Sequence, residues 1–309
     1  MKIGVMGTGG IGGYFGALLA RAGYEVFCLA RGEHLKAIQE KGLRVESVPG
    51  NFTVRPRATA DPAAIGPMDL ILFGVKTYDT DEAARAMRPL VGEGTVILTL
   101  QNGVDSAERI AAALGPGRVL PGAAYIFSGI AAPGVIRQTG GPRKIVFGEP
   151  EGGRSPRAEA ILAACRAAEI NAELTDRIVR VLWEKWAFIC AQGGVTALTR
   201  LPLGEIRACE ETWALYRGVI EEIAAVAAAR GIAVAPGLVG TILDQAKALE
   251  AHVTSSLAND LAGGRRLEIE ALNGTVVRYG REAGVPIPLN QAIYASLKPY
   301  EAGARPAAR

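Results

Sequence analysis

The sequence predicts an α/β fold class: a doubly wound sheet in the N-terminal half, followed by an all-α C-terminal domain. Three observations lead there. Short apolar runs alternate with helical periods over residues 1–174. Several of those runs are unbroken, as strands buried on both faces of a parallel sheet are. From Thr175 onwards the apolar spacing is almost purely helical. A chain of 309 residues has length enough for two cores. The division is therefore placed at residues 1–174 and 175–309, with an active site expected in a cleft between the halves.

Residues 1–6 read as a buried strand, and Gly7-Thr-Gly-Gly-Ile-Gly12 follows without a gap. An apolar helix over 13–22 comes next and stops at Gly23. Glycines at positions 7, 9 and 12, between a strand and a helix, form the dinucleotide-binding fingerprint. Gly7 makes the tight turn, Gly9 admits a pyrophosphate to the backbone, and Gly12 lets helix and sheet approach. The unpaired amides and positive dipole end of that helix receive phosphate, and Gly10 and Ile11 of the turn are counted with the cofactor-binding residues. This context makes the first half Rossmann-type.

The pattern continues with a strand over 25–30 and a short helix over 34–41. Strands follow at 69–76, 95–100 and 119–127, separated by helices over 79–90 and 106–114. Residues 135–139 and 144–147 read as a hairpin-like stretch, and 156–168 as the last helix of this half. Thr175-Asp176 is a plausible N-cap for a helix reaching about Cys190. Further helices are expected over 210–230, 238–249, 255–261, 267–283 and 290–297, with Val285-Pro-Ile-Pro288 as a rigid connector. The last dozen residues, rich in Pro, Ala and Arg, are expected to fray.

Composition narrows the function. With 49% hydrophobic and 21% charged residues the chain has the profile of an ordinary soluble globular protein. A net charge of +3 without a Lys/Arg run offers nothing to nucleic acid. No apolar stretch approaches the roughly 20 residues of a membrane span. The chain starts on a strand, leaving no room for a signal peptide, and a cytoplasmic location is expected. The four cysteines lack C-x-x-C spacing and read as reduced thiols. Two histidines far apart, His34 and His252, are poor material for a metal site or a Ser-His-Asp triad, so no metal is expected.

A site preferring NAD ends its second strand in Asp or Glu, which accepts from the ribose 2′-hydroxyl. Here that strand runs into Ala30-Arg31-Gly32. A guanidinium cannot accept that bond but suits a 2′-phosphate, so NADPH is the expected cofactor. A solvated surface arginine is the plain alternative, and Glu33 could swing in to favour NAD.

On a helical wheel over 177–190, Ile178, Val181, Leu182, Trp186 and Ile189 form an apolar arc. Arg177, Arg180 and Glu184 lie opposite, but Lys185 falls inside the arc. A buried ammonium costs several kcal/mol unless paired, so this lysine needs a partner or a purpose. Desolvation would lower its pKa toward that of a general acid working near neutrality. A snorkelling lysine is the alternative. A helix over 267–280 would place Glu268 at the border of its apolar stripe, as a counter-ion for Lys185. Ser256 and Asp260 stand four apart on one helical face, a small-anion or helix-entry arrangement, although a plain N-cap is an equal account of either serine, Ser255 or Ser256. Lys76 and Asn102 end neighbouring strands, where ligands of such sheets bind, although Asn102-Gly103 also suits a turn alone.

Together these residues resemble the ketopantoate reductases (2-dehydropantoate 2-reductases). The resemblance covers essentially the whole chain. It rests on the glycine fingerprint, Arg31, Val75-Lys76, Gln101-Asn102-Gly103, Leu182-Trp-Glu-Lys185, Thr196-Ala-Leu, Thr254-Ser-Ser-Leu and Leu267-Glu-Ile-Glu-Ala-Leu-Asn-Gly274. It implies NADPH-dependent reduction of 2-ketopantoate to pantoate, a step towards coenzyme A, by a homodimer. It implies Lys185 as general acid, Glu268 as the residue orienting it, and Ser256 as a ligand of the substrate carboxylate. Lys76 and Asn102 would lie near nicotinamide ribose and substrate. The chain departs from the family pattern where asparagines are expected: Ile189, Gly193 and Val253 stand there instead. A pocket that loses polar partners loses strongly for a polar substrate, so a different, less polar 2-keto acid is the alternative. A non-catalytic dinucleotide sensor is the rival from another class. A lysine kept in an apolar arc argues against it.

Overall fold

The computed structural model describes residues 1–304. Apolar runs with no room for a polar face become the central strands. In the first unit the strands are β1 (Lys2–Met6), β2 (Glu25–Leu29), β3 (Leu43–Glu46), β4 (Phe52–Val54), β5 (Arg57–Thr59), β6 (Met68–Phe73), β7 (Val91–Thr99), β8 (Val119–Ala132), β9 (Val135–Phe147) and β10 (Asn171–Leu174). The helices between them are α1 (Gly10–Arg21), α2 (Gly32–Lys41), α3 (Thr80–Ala86), α4 (Ser106–Leu114) and α5 (Pro156–Ala167).

Six strands run parallel in the order β5-β2-β1-β6-β7-β8, the doubly wound arrangement whose order reverses between β1 and β6. Side chains of one strand serve both faces, as the period of two requires. Leu70 and Leu72 pack with Phe15 and Leu19 of α1, whereas Ile71 and Phe73 pack with Ala84, Met87 and Ile110 on the other side. Helices therefore cover both faces.

Beyond β8 the sheet departs from the expected pattern. Residues 135–139 and 144–147 are not two arms of a hairpin. They are parts of the single strand β9, antiparallel to β8, and the turn between them is at Gly134, with φ of +76°. Gly140 and Gly141 mark the register shift opposite Phe127, where a bulge mimics a turn signal in sequence. The strands β3, β4, β5 and β10 have three or four residues each, too few for a period to show.

The second unit is helical: α6 (Ile178–Thr199), α7 (Leu203–Ala208), α8 (Glu210–Ala229), α9 (Leu238–Ala248), α10 (Ser256–Ala262), α11 (Thr275–Ala283) and α12 (Pro288–Leu297). Its core gathers Trp186, Tyr216, Ile220, Val276 and Ile293, all essentially without exposed surface. Trp183 stacks on Tyr279 with ring centroids 5.9 Å apart. Among the described residues no helix is long and apolar enough to cross a membrane.

The chain divides into Met1–Gln101 with Asp105–Ile178, and Asn102–Val104 with Val179–Arg309. Residues 175–178 stay with the first unit because β10 pairs with β9, and Thr175 N–H then donates to Phe147 O at 2.9 Å. The helix expected over 267–283 is also different. Leu267 and Glu268 precede it, Glu270–Gly274 forms a π-helical segment, and Leu272 leaves helical dihedrals. Leu267 N–H is drawn instead to Glu301 O at 3.0 Å. Of the dozen C-terminal residues expected to fray, Lys298–Tyr300 forms a 3-10 turn and Ala304 N–H donates to Gly264 O at 2.8 Å. Residues 305–309 lie outside the described residues.

Candidate active site

The glycine turn begins where β1 ends. Gly7 has φ of +94°, and a Cβ there would stand 2.7 Å from Val75 N, at the end of β6. Gly12 is equally committed, since its Cβ would meet Gly7 O at 2.3 Å. Gly10 faces the β8 backbone, with Ser128 O 2.4 Å from the Cβ position. Gly9 differs: no atom lies within 4 Å of where its Cβ would be. Three glycines thus let strand, helix and hairpin close together, and the fourth leaves the helix mouth open. The helix α1 starts at Gly10 rather than at residue 13, so Gly10, Ile11 and Gly12 supply its first turn. Gly9 is its cap and offers no side-chain bond to those amides. That arrangement fits a dinucleotide pyrophosphate, which brings acceptors to unpaired N–H groups at the positive dipole end.

At the end of β2, Arg31 caps α2 with extended dihedrals, and its guanidinium is largely exposed. Its Nη2 lies 3.8 Å from Asp79 Oδ2. Such an exposed pair is worth little in stability. The guanidinium remains reachable by a phosphate. Glu33 is exposed in the first turn of α2.

Lys76 does not end a strand. The strand β6 stops at Phe73, and exposed Lys76 precedes the 3-10 turn Thr77–Asp79. Gly74, whose Cβ would come 3.3 Å from Gly12 N, is where the chain bends under the glycine turn. Gln101 fixes this bend: its Nε2 donates to Val75 O and to Thr80 Oγ1, each at 2.9 Å. Sequence reasoning named Gln101 only as part of a motif. Its signal was a buried amide at the end of a central strand, which must find partners.

In the second unit α6 carries Lys185, half-buried, and its Nζ donates to Asn102 Oδ1 at 3.0 Å. Asn102 belongs to this unit, in a bend followed by Gly103 at φ +101°. It therefore serves both as turn residue and as acceptor. Burial lowers the Lys185 pKa from the usual lysine range to about 8, against the pull of the Glu268 carboxylate, which raises it. A snorkelling amine would escape that desolvation. Glu268 is 9% exposed although it stands outside any helix. Its carbonyl accepts from Leu272 N–H at 3.2 Å, so the π-helical segment holds it from the next turn.

Ser255, not Ser256, is the N-cap of α10, accepting from Ala258 N–H at 2.9 Å. Its hydroxyl also meets Thr196 Oγ1 of α6 at 2.7 Å. Ser256 is the exposed first residue of the helix, and Asp260 is bound to Arg265 Nε at 2.8 Å. The positions of the expected asparagines are apolar. Ile189 is half-buried, and Val253 holds Leu203 N–H on its carbonyl. A Cβ on buried Gly193 would sit 3.6–3.7 Å from Leu257 and Leu272.

A sheet that reverses at an open glycine turn, with an arginine beyond its second strand, and a desolvated lysine beside a carboxylate define a dinucleotide-dependent oxidoreductase. Comparison with known proteins narrows the class. Residues 3–152 match the family described as Ketopantoate reductase PanE/ApbA, and residues 177–301 match its C-terminal counterpart. The solved PanE/ApbA family ketopantoate reductase of Ralstonia eutropha JMP134 is 36% identical with a TM-score of 0.91, over 97% of this chain and 98% of that one. The 2-dehydropantoate 2-reductase of Geobacter metallireducens GS-15 is 35% identical with a TM-score of 0.90, over 97% and 99%. The 2-dehydropantoate 2-reductase of Halobacterium salinarum is 32% identical over 94% of this chain and 95% of its own. The chain belongs to the ketopantoate reductase family.

Proposed function

We propose that this protein reduces 2-ketopantoate to pantoate with NADPH, in the cytoplasm, as a homodimer serving pantothenate and coenzyme A synthesis. The observation that carries the reading is Lys185. Its amine is desolvated to a pKa of about 8, held by Asn102 and biased by Glu268. At neutral pH it is still mostly protonated, yet acidic enough to give that proton up.

The first unit would hold the dinucleotide, with Gly7, Gly9, Gly10, Ile11 and Gly12 at the pyrophosphate, Arg31 at the 2′-phosphate and Lys76 toward the nicotinamide ribose; Asn102, of the second unit, would also serve the ribose. The bound cofactor supplies a hydride to the carbonyl carbon. Lys185 gives its proton to the carbonyl oxygen as negative charge develops there, and solvent returns one to the amine. Glu268 keeps the ammonium charged and aimed before the step, and Asn102 removes one of its rotational freedoms. Ser256 would take the substrate carboxylate.

A second reading has one observation in its favour. Ile189, Gly193 and Val253 present carbon where a polar substrate needs partners, and Leu257 and Leu272 surround Gly193. On that reading the substrate is a less polar 2-keto acid and the chemistry is the same. Loss of NADPH absorbance with ketopantoate and a panel of branched and aromatic 2-keto acids tests both. Turnover of ketopantoate with the highest kcat/KM supports the first reading, and preference for an apolar acid the second. Binding of NADPH without turnover of any would overturn both in favour of a sensor.

A further inference from the structure

His34 sits at the start of α2, three residues after Arg31, and is half-buried. Its Nδ1 lies 3.0 Å from Gly134 N at the β8–β9 turn. The backbone N–H can only donate, so Nδ1 accepts, and the neutral ring carries its proton on Nε2. That Nε2 lies 2.8 Å from Thr8 O and donates to it. Partial burial holds the ring's pKa below the usual histidine value, which favours this neutral form.

The carbonyl it grips belongs to the middle of the glycine turn. Thr8 is flanked by Gly7 and Gly9, residues whose backbone rotates at little cost. Its own amide and hydroxyl are already tied to Leu29 O, at 3.1 and 3.0 Å. The Thr8–Gly9 peptide is left to turn about those anchors. The chain has no cis peptide among the described residues, so the C=O and N–H of that unit point opposite ways. A bond that fixes Thr8 C=O therefore fixes the direction of Gly9 N–H, the amide at the open mouth of α1. Gly134, whose Cβ would stand 2.9 Å from the Ala37 Cβ of α2, holds the ring from behind.

We infer that His34 is a positioning residue for dinucleotide binding: it prevents the Thr8–Gly9 peptide from flipping, so that Gly9 N–H stays turned toward the pyrophosphate. This rests on the dinucleotide reading of the glycine turn. On it, His34 acts through the Thr8–Gly9 peptide.

Two substitutions separate the bonds His34 makes. In His34→Gln the amide nitrogen takes the place of Nε2 and keeps the bond to Thr8 O. In His34→Asn the amide oxygen takes the place of Nδ1 and keeps only the bond to Gly134. NADPH affinity is read by fluorescence titration, with Tm recorded for each variant. Losing one hydrogen bond that orients a binding group weakens affinity about tenfold. His34→Asn and His34→Ala are expected to show that loss, and His34→Gln to stay within about threefold of the unaltered protein. For the folded variants, kcat at saturating NADPH should not change. Equal affinities for His34→Gln and His34→Asn, or losses that follow Tm alone, would overturn the inference with the dinucleotide site intact. Failure of the unaltered protein to bind NADPH would overturn the dinucleotide reading and this inference with it.

Discussion

Lys185 and Asn102, 83 residues apart in sequence, meet in the second unit through a 3.0 Å hydrogen bond from Nζ to Oδ1. The acceptor is neutral, so it orients the amine without holding its proton as firmly as a carboxylate would. Glu268 acts by charge, and burial outweighs it. An amine oriented by a hydrogen bond and shifted by burial to a pKa of about 8 has what a proton donor would need.

Removing the amine should remove the chemistry and little else. Lys185→Ala is expected to lower kcat by about 10²–10⁴, the usual worth of a positioned acid, while the Kd for NADPH changes less than about twofold. Steady-state kinetics beside a fluorescence titration checks this. An unchanged kcat would take Lys185 out of the mechanism.

The pH dependence follows from the same group. A general acid must be protonated, so kcat should be level below about pH 8 and fall by about tenfold per pH unit above it. Glu268 raises the lysine pKa, so Glu268→Gln lets burial act unopposed. The falling limb should then move to lower pH. A limb that stays in place or moves upward would contradict the assignment.

Arg31 tests the choice of dinucleotide. Its guanidinium is largely exposed and its ion pair with Asp79 is long, at 3.8 Å, so removing it should not disturb the fold. Arg31→Ala is expected to raise KM for NADPH about tenfold or more, through loss of a charge-assisted phosphate contact, with KM for NADH nearly unchanged. Equal effects on both would place the 2′-phosphate elsewhere.

Much of this was legible in the sequence, and what was not has a physical cause. The glycine turn could be read because its chemistry is local: six consecutive residues fix both the bend and the helix mouth. Lys185 could be read because the helix α6 is long enough for a wheel to be valid across it. Glu268 was found by a wheel that did not apply, since it precedes the π-helical segment, and its neighbour Leu267 is tied by its N–H to Glu301 O, 34 residues on, a contact no local period encodes. Lys76 was assigned to a strand because the apolar run continues through Gly74-Val75, past the point where the approach of α1 forces the chain to bend. The role of His34 depends on Gly134, 100 residues away.

Neighbouring glycines of the turn should fail in different ways. Gly9→Ala adds a methyl where no atom lies within 4 Å, at φ of −87°, which alanine accepts. Its Tm should hold or rise slightly, because alanine narrows the unfolded ensemble. NADPH affinity should nevertheless fall about tenfold or more, since that methyl occupies the path of the pyrophosphate to the amides. Gly10→Ala drives its methyl to 2.4 Å from Ser128 O, a backbone atom that cannot swing aside. The fold itself should weaken there, by about 1–3 kcal/mol in urea titration. If Gly9→Ala binds NADPH as the unaltered protein does, the cofactor does not cross this turn, however well its shape suits one.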